Sequence, residues 1–130
     1  MTESSEHVEP ARGEGDDWAR PIVHWAIEAI DPDRQRRFYE NVFNWTISDG
    51  HVMLIESGLG GPEPGPAGHI QPGSMSRVSL YVQVRDLTET LERVTANGGI
   101  VRSEPFDLPG APTMAMIEDP EMNPLMLVQQ

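Results

Sequence analysis

Apolar residues occur along this chain in short runs separated by charged or Gly/Pro-rich stretches, a pattern that predicts strands alternating with helices. A mostly apolar run over residues 22–30 has the length of a buried strand and ends at Asp31 and Pro32. Asp31 is a suitable N-cap, with Pro32 at the first helical position. A helix is therefore predicted to follow, and its apolar face comprises Phe38, Tyr39, Val42 and Phe43.

The rest of the first half reads as short strands and loops. A short strand is predicted near residues 45–47, a turn at Asp49-Gly50 and a second strand at 52–55. Residues 58–68 are dominated by Gly and Pro and predict a loop, after which 69–71 predict a brief strand.

The second half repeats this order. Residues 78–84 predict a strand, and Asp86 then caps a helix that is stopped by Asn97-Gly98-Gly99. Three further strands are predicted, at 100–102, 114–117 and 125–129. Each half is thus predicted to consist of one strand, one helix and three strands.

A shift of 55 positions superposes the beginnings of the two halves, placing Asp31 on Asp86. After the helices the shift becomes 62, which places Ile55 on Ile117. A βαβββ unit cannot bury both faces of its small sheet, so two such modules are expected to pair. The predicted fold is α+β, with modules 21–73 and 76–130 forming an open, curved mixed sheet around a cleft that would hold the functional site.

Residues 1–20 carry many acidic side chains among Ser, Gly and Pro, which predicts a flexible tail. The 130 residues have a formal net charge of −12, which argues against nucleic acid or an anionic membrane as a partner. The absence of cysteine excludes thiol catalysis and disulfides. Since no apolar stretch could span a bilayer and no export signal is evident, a cytoplasmic protein is expected.

Several segments together resemble single-domain glyoxalase-like proteins of the vicinal oxygen chelate superfamily, which includes glyoxalases, bleomycin resistance proteins and extradiol dioxygenases. The resemblance covers about residues 21–129 and is carried by Val23-His24-Trp25-Ala26-Ile27, Asp31-Pro32-Asp33, residues 37–45 and 82–87, Gly98-Gly99 and Asp119-Pro120-Glu121-Met122-Asn123-Pro124. It implies paired modules, commonly a homodimer, and in the enzymes a divalent ion held by one ligand from each of four strands.

Carried over by position, this resemblance places the four ligands at His24, at Ser79, at Met126 and near His69 or Gln71. A hydroxyl and a thioether do not replace carboxylates for a hard dication, so no metal cofactor is expected. The alternative is a divalent ion held by His24 and His69, helped by Glu28 or Glu56.

The leading interpretation is therefore a protein that binds a small organic molecule in the cleft. The expected ligand-binding residues are His24, Trp25, Glu28, Ser79, Tyr81, Gln83 and Met126. Alternation places His24 and Glu28 on one face, and Glu28 there is a candidate general base. Each of these side chains could instead fill the core or face solvent, as Glu28 would at the end of its strand.

Two other functions remain open at this point. One is a metal-dependent lyase, isomerase or dioxygenase of the same superfamily, and the other is a regulatory or structural module that binds a partner. In the closing turn Met122 stands where the family usually has Gly, so Asn123 is expected to take the left-handed conformation.

Overall fold

The structure, a computed structural model, describes residues 18–56 and 65–130. Residues 1–17 of the predicted flexible tail therefore lie outside the described residues. The elements in chain order are β1 (Ile22–Ala29), α1 (Pro32–Phe43), β2 (Met53–Ile55), β3 (Gly68–Pro72), β4 (Arg77–Val84), α2 (Leu87–Ala96), β5 (Ile100–Val101), β6 (Met114–Glu118) and β7 (Pro124–Gln129).

The seven strands form one mixed sheet in the order β2-β3-β1-β4-β7-β6-β5. The strands β1 and β4 pair antiparallel at its centre. On either side, β1 pairs with β3 and β4 pairs with β7, both in parallel. The predicted α+β class with an open mixed sheet is confirmed, and the strand order has two-fold pseudosymmetry about the central pair.

The pairing registers support the internal repeat residue by residue. His24 pairs with Tyr81 and Ala26 with Ser79, and these two pairs exchange places under the shift of 55 positions. Ile55 pairs with Gly68 in the first half, whereas Ile117 pairs with Leu125 in the second. The shift of 62 positions between Ile55 and Ile117 is therefore correct, and Gly68 and Leu125 are equivalents shifted by 57.

Both helices begin after their predicted N-cap residues, and α2 ends at the predicted Asn97 stop. The Asp31 carboxylate accepts a hydrogen bond of 3.2 Å from the backbone N–H of Arg34, and Asp86 accepts one of 3.1 Å from that of Glu89. Asn44 ends α1 in the left-handed conformation, with φ 60°. Within the described part of the chain, no helix is long and apolar enough to cross a membrane.

The helices cover one face of the sheet, and the apolar core lies beneath them in two clusters, one for each half. The first comprises Ile27, Ala29, Ile47, Met53, Ile55 and Ile70, with Trp25, Tyr39 and Trp45 packed against it. The second comprises Val84, Leu87, Ala115, Ile117 and Leu127. We call this the helix face and the opposite side the open face.

The structure corrects three sequence predictions. The strand predicted near 45–47 is reduced to an isolated bridge between Ile47 and Ile55, and Trp45 beside this bridge stacks on Tyr39 at 5.0 Å. The predicted apolar face of α1 contains no fully buried residue, and the exposed members are Phe38, Val42 and Phe43. The third correction concerns the closing turn, where Met122 rather than Asn123 has positive φ, at 69°.

Candidate functional site

The open face carries the polar side chains of the central strands. Alternate residues of a strand share a face, and directly paired residues of neighbouring strands lie on the same side. His24 therefore shares its face with Tyr81, and Ala26 shares it with Ser79 and His69. The same face also carries Glu28, Gln71, Arg77, Gln83, Met116, Glu118 and Met126.

The register of β3 decides which residue takes the fourth of the positions at which the resemblance implies metal ligands. Ala26 pairs with His69, and its equivalent Tyr81 pairs with Met126. His69, rather than Gln71, is therefore the equivalent of Met126. The four positions are His24 and His69 in the first half and Ser79 and Met126 in the second, all on the open face.

The two histidines of the first half contact each other. Nε2 of His24 lies 2.8 Å from Nδ1 of His69, and Nε2 of His69 lies 2.7 Å from Oε1 of Gln71. These distances are those of hydrogen bonds, so the three side chains form a continuous polar chain across β1 and β3. His69 is only 7% exposed, so this row of hydrogen-bonded side chains extends from the surface into the sheet.

Tyr81 packs edge-on against both imidazoles, with ring centroids 4.9 Å from His24 and 6.0 Å from His69. Burial, together with the proximity of His69, lowers the pKa of His24. Burial and the nearby Glu28 carboxylate raise the pKa of Tyr81. At neutral pH the imidazole of His24 is therefore favoured in its uncharged form and the phenol of Tyr81 keeps its proton.

The second half contributes a pocket of about 210 Å³ beside Ser79 and Met126. Its remaining lining residues are Arg77, Arg102, Met116, Ile117, Glu118, Pro124 and Leu125. Two of the four positions just described thus line a pocket, whereas the other two form the hydrogen-bonded histidine pair.

Two ion pairs flank this pocket. Glu28 pairs with Arg77 across β1 and β4, and Arg102 donates a hydrogen bond of 2.8 Å to Glu118. The glutamate side chains are 19% and 14% exposed, so both carboxylates are largely shielded from water. The hydrogen bond from Arg102 lowers the pKa of Glu118, and the charge of Arg77 acts in the same direction. The Arg77 guanidinium therefore interacts electrostatically with both glutamates.

Most of the residues expected from the sequence share the open face, but Trp25 does not. Its indole lies on the helix face, packs against Trp45 and donates a hydrogen bond of 3.0 Å to the carbonyl of Pro66. Gln83 lies on the open face at the far end of β4 and is half-buried.

Sequence reasoning missed Arg77, Arg102 and Glu118. Alternation places Arg77 on the same face as Ser79 and could have identified it. The sequence has no comparable local signal for Arg102, because its contact with Glu118 joins residues 16 positions apart.

The donor set does not fit a hard divalent ion. Ser79 is a neutral oxygen donor and Met126 a soft thioether, and Glu28 is engaged by Arg77. Over residues 18–56 and 65–130 no three or more His, Cys, Asp or Glu side chains are grouped so that they could hold a metal ion. The carboxylate help expected from Glu28 or Glu56 is therefore not assembled around the histidine pair.

Comparison with known proteins gives a consistent result. Residues 22–127 match the family model of the glyoxalase/bleomycin resistance protein/dioxygenase superfamily. A "Glyoxylase-like domain-containing protein" from Didymella fabae is 30% identical over 107 residues, which cover 75% of this chain and 84% of that protein.

Solved structures share the fold at lower identity. A superfamily member from Vibrio splendidus 12B01 has a TM-score of 0.60 at 14% identity, with 86% of this chain and 100% of that chain covered. The Mn(II)-bound glyoxalase from Novosphingobium aromaticivorans has a TM-score of 0.55 at 18% identity, with 83% of this chain matching 37% of that longer chain. The chain belongs to the glyoxalase/bleomycin resistance protein/dioxygenase superfamily.

Proposed function

We propose that this chain binds a small organic molecule on the open face, in the pocket beside Ser79 and Met126, and that binding requires no metal ion. The observation that carries the proposal is which side chains occupy the four positions at which the resemblance implies metal ligands. Two of them are hydrogen-bonded to each other, and the other two line a pocket without being metal donors of the required kind.

The pocket's size and lining support a small ligand with an apolar body. Its volume of about 210 Å³ is below the range of about 300–1,000 Å³ that drug-sized ligands occupy. Met116 and Met126 supply polarisable thioethers that adapt to aromatic or aliphatic groups. Ser79 supplies a hydroxyl that can donate and accept a hydrogen bond.

A second candidate is a metal-dependent lyase, isomerase or dioxygenase of the superfamily. It is favoured by the close approach of His24 and His69, because imidazole is a common ligand of zinc, copper and iron. One similar protein is described as a Mn(II)-bound glyoxalase. In this chain the ion would need ligands other than Ser79 and Met126, since neither suits a hard dication.

Metal analysis separates the two candidates. The protein is purified without chelators and its metal content is measured by mass spectrometry, for the wild type and for His24→Ala. The binding proposal expects less than one ion per ten chains in both. A stoichiometric ion that is lost in His24→Ala would contradict it and favour the metal-dependent enzyme.

Ligand screening tests the pocket directly. Small aromatic compounds are expected to raise the apparent melting temperature of the wild type, because binding to the native state stabilises it. Ser79→Leu fills the pocket and is expected to abolish that increase. The matched control Ser74→Leu makes the same replacement at an exposed residue outside the pocket and is expected to keep it. Equal ligand responses in the two variants would place binding elsewhere.

We also propose that the chain forms a homodimer through α1. The support is the exposure of Phe38, Val42 and Phe43, each more than half exposed on one helix. Sedimentation of the wild type is expected to give a dimer, and Val42→Glu a monomer. A monomeric wild type at concentrations of tens of micromolar would contradict this proposal.

A further inference from the structure

We propose that the ligand of this pocket is a net-neutral molecule with a dipolar head group, such as a carboxamide or an ammonium-carboxylate zwitterion, joined to an apolar body. The inference rests on the proposed function and names the class of ligand. It is drawn from the two ion pairs that flank the pocket, Glu28 with Arg77 and Glu118 with Arg102.

The two ion pairs that flank the pocket are balanced in charge. Two arginines and two glutamates give a net charge of zero, and the pKa of Glu118 is lowered by both arginines. Every charge already has a partner of opposite sign within the protein. A ligand with a net charge would either remain unpaired or displace one of the protein's own partners, and both outcomes cost free energy where the carboxylates are shielded from water.

The hydrogen-bonding groups of the pocket call for a ligand that both donates and accepts. A guanidinium offers only donors, and an ionised carboxylate offers only acceptors. Arg77, Arg102 and Glu118 all line the pocket, so both kinds are present on its wall. A carboxamide presents its oxygen to an arginine and its N–H groups to a glutamate, and a zwitterion does the same with full charges.

The remaining wall favours an apolar body. The thioether side chains of Met116 and Met126 form the apolar side of the pocket, and thioethers pack well against aromatic rings. One small molecule can therefore place its head group against the charged side of the pocket and its ring against the thioethers. The pocket thus combines an orienting polar wall with a less selective apolar wall.

Four probes that share a benzyl group test the class of head group. Phenylacetamide is neutral and phenylalanine is zwitterionic. At neutral pH phenylacetate carries one negative charge and phenethylamine carries one positive charge. Their affinities for the full-length protein are measured by calorimetry in the same buffer. We expect phenylacetamide and phenylalanine to bind about tenfold more tightly than either charged probe.

Charge variants then test whether the ion pairs set this preference. Glu118→Gln leaves an excess positive charge and should move the preference about tenfold toward phenylacetate. Arg102→Gln leaves an excess negative charge and should move it toward phenethylamine by a similar factor. The double variant restores the balance and should return to the neutral probes, which also shows that the pocket still folds. Asp49→Asn removes a carboxylate from the Arg36 ion pair elsewhere and should leave the preference unchanged.

The outcomes separate this inference from the proposed function. Tighter binding of phenylacetate or phenethylamine by the wild type, or a preference that ignores the two charge variants, overturns the dipolar head group while leaving a small-molecule pocket in place. Failure of all four probes to bind the wild type counts against both. Binding that Ser79→Leu leaves intact places the ligand outside this pocket and overturns both as well.

Discussion

The two halves of this molecule share a backbone plan but use it differently. In the first half the equivalent positions on β1 and β3 hold two histidines that hydrogen-bond to each other. In the second half the matching positions on β4 and β7 hold Ser79 and Met126, which line a pocket. The same pattern of strand pairing thus brings equivalent positions onto one face in both halves, while different side chains there give the two halves different chemistry.

The halves differ in their connections as well. The link between β2 and β3 spans residues 56–67, whereas the equivalent link between β6 and β7 spans only 119–123. The short link is held by Asp119, whose carboxylate accepts hydrogen bonds from the backbone of Glu121 and from Asn123. These hydrogen bonds, those from Asn123 most strongly, lower the pKa of Asp119. A tight turn of this kind fixes β7, and with it Met126, against the rest of the sheet.

The largest expected effect is a loss of stability from core substitutions, which test whether the two apolar clusters are equivalent. Ile70 is fully buried in the first cluster, and its equivalent Leu127, 57 positions later, is 3% exposed in the second. Ile70→Ala and Leu127→Ala should each lower the free energy of unfolding by about 2–5 kcal/mol. Urea denaturation measures both, with Leu54→Ala, an exposed residue, as a milder control. A large loss in only one variant would show that one half carries most of the stability.

The next largest effect is a loss of stability from a substitution at a position where the two halves pack differently. Gly68 pairs with Trp25 in the first half, whereas Leu125 pairs with Leu80 at the equivalent place. A Cβ at Gly68 would overlap the Trp25 indole, so Gly68→Ala should destabilise the protein by about 1–3 kcal/mol. In a Trp25→Leu background the same change should cost much less, because the overlap is gone.

Gly65→Ala is the matched control, since a Cβ there meets nothing within 4 Å. It should change stability by less than about 0.5 kcal/mol. An equal cost for Gly68→Ala with and without the indole would mean that this position is sensitive for a reason other than Trp25.

A smaller effect concerns the short closing turn of the second half. Met122 has φ 69°, a conformation that costs a residue with a side chain about 1–2 kcal/mol. Met122→Gly removes that cost but gives the unfolded chain more freedom, so a net gain of about 0.5–1 kcal/mol is expected. Thermal unfolding monitored by circular dichroism measures it. A loss of stability would indicate that the exposed Met122 side chain makes a contact that matters.

The sequence predicts most of the fold because its strongest local signals coincide. Asp31 and Asp86 mark the helix starts, and the apolar runs before them became β1 and β4. The strand predicted at 45–47 is reduced to the bridge between Ile47 and Ile55, and the neighbouring Trp45 stacks on Tyr39 of α1. Local propensity says nothing about such a contact, since it depends on where α1 packs.

The candidate site was predictable only where alternation along a strand decides it. Alternation along the first strand placed His24 and Glu28 on one face, and the same rule puts Trp25 on the other. The register of β3 could not be read through the Gly/Pro-rich stretch before it, so His69 was settled only by its pairing with Ala26. The Arg102–Glu118 ion pair joins neighbouring elements and has no signature in local spacing.

The smallest expected effect is on the pH dependence of stability, which is measured by varying only the pH. Burial and the proximity of His69 lower the pKa of His24 below its ordinary value of about 6.5, so the unfolded chain binds a proton there more readily than the folded one. The stability contribution of His24 is therefore fully present above about pH 6.5 and is lost as the pH falls from there through the lower pKa of the folded state. His24 is only half-buried, and water that still reaches its ring keeps this effect below those of the core substitutions. Urea midpoints measured across this pH range should fall less in His24→Gln than in the wild type, and NMR titration of the ring reports the pKa directly. Parallel curves for the two proteins would show that the histidine pair, the feature that most distinguishes the first half from the second, does not couple to folding.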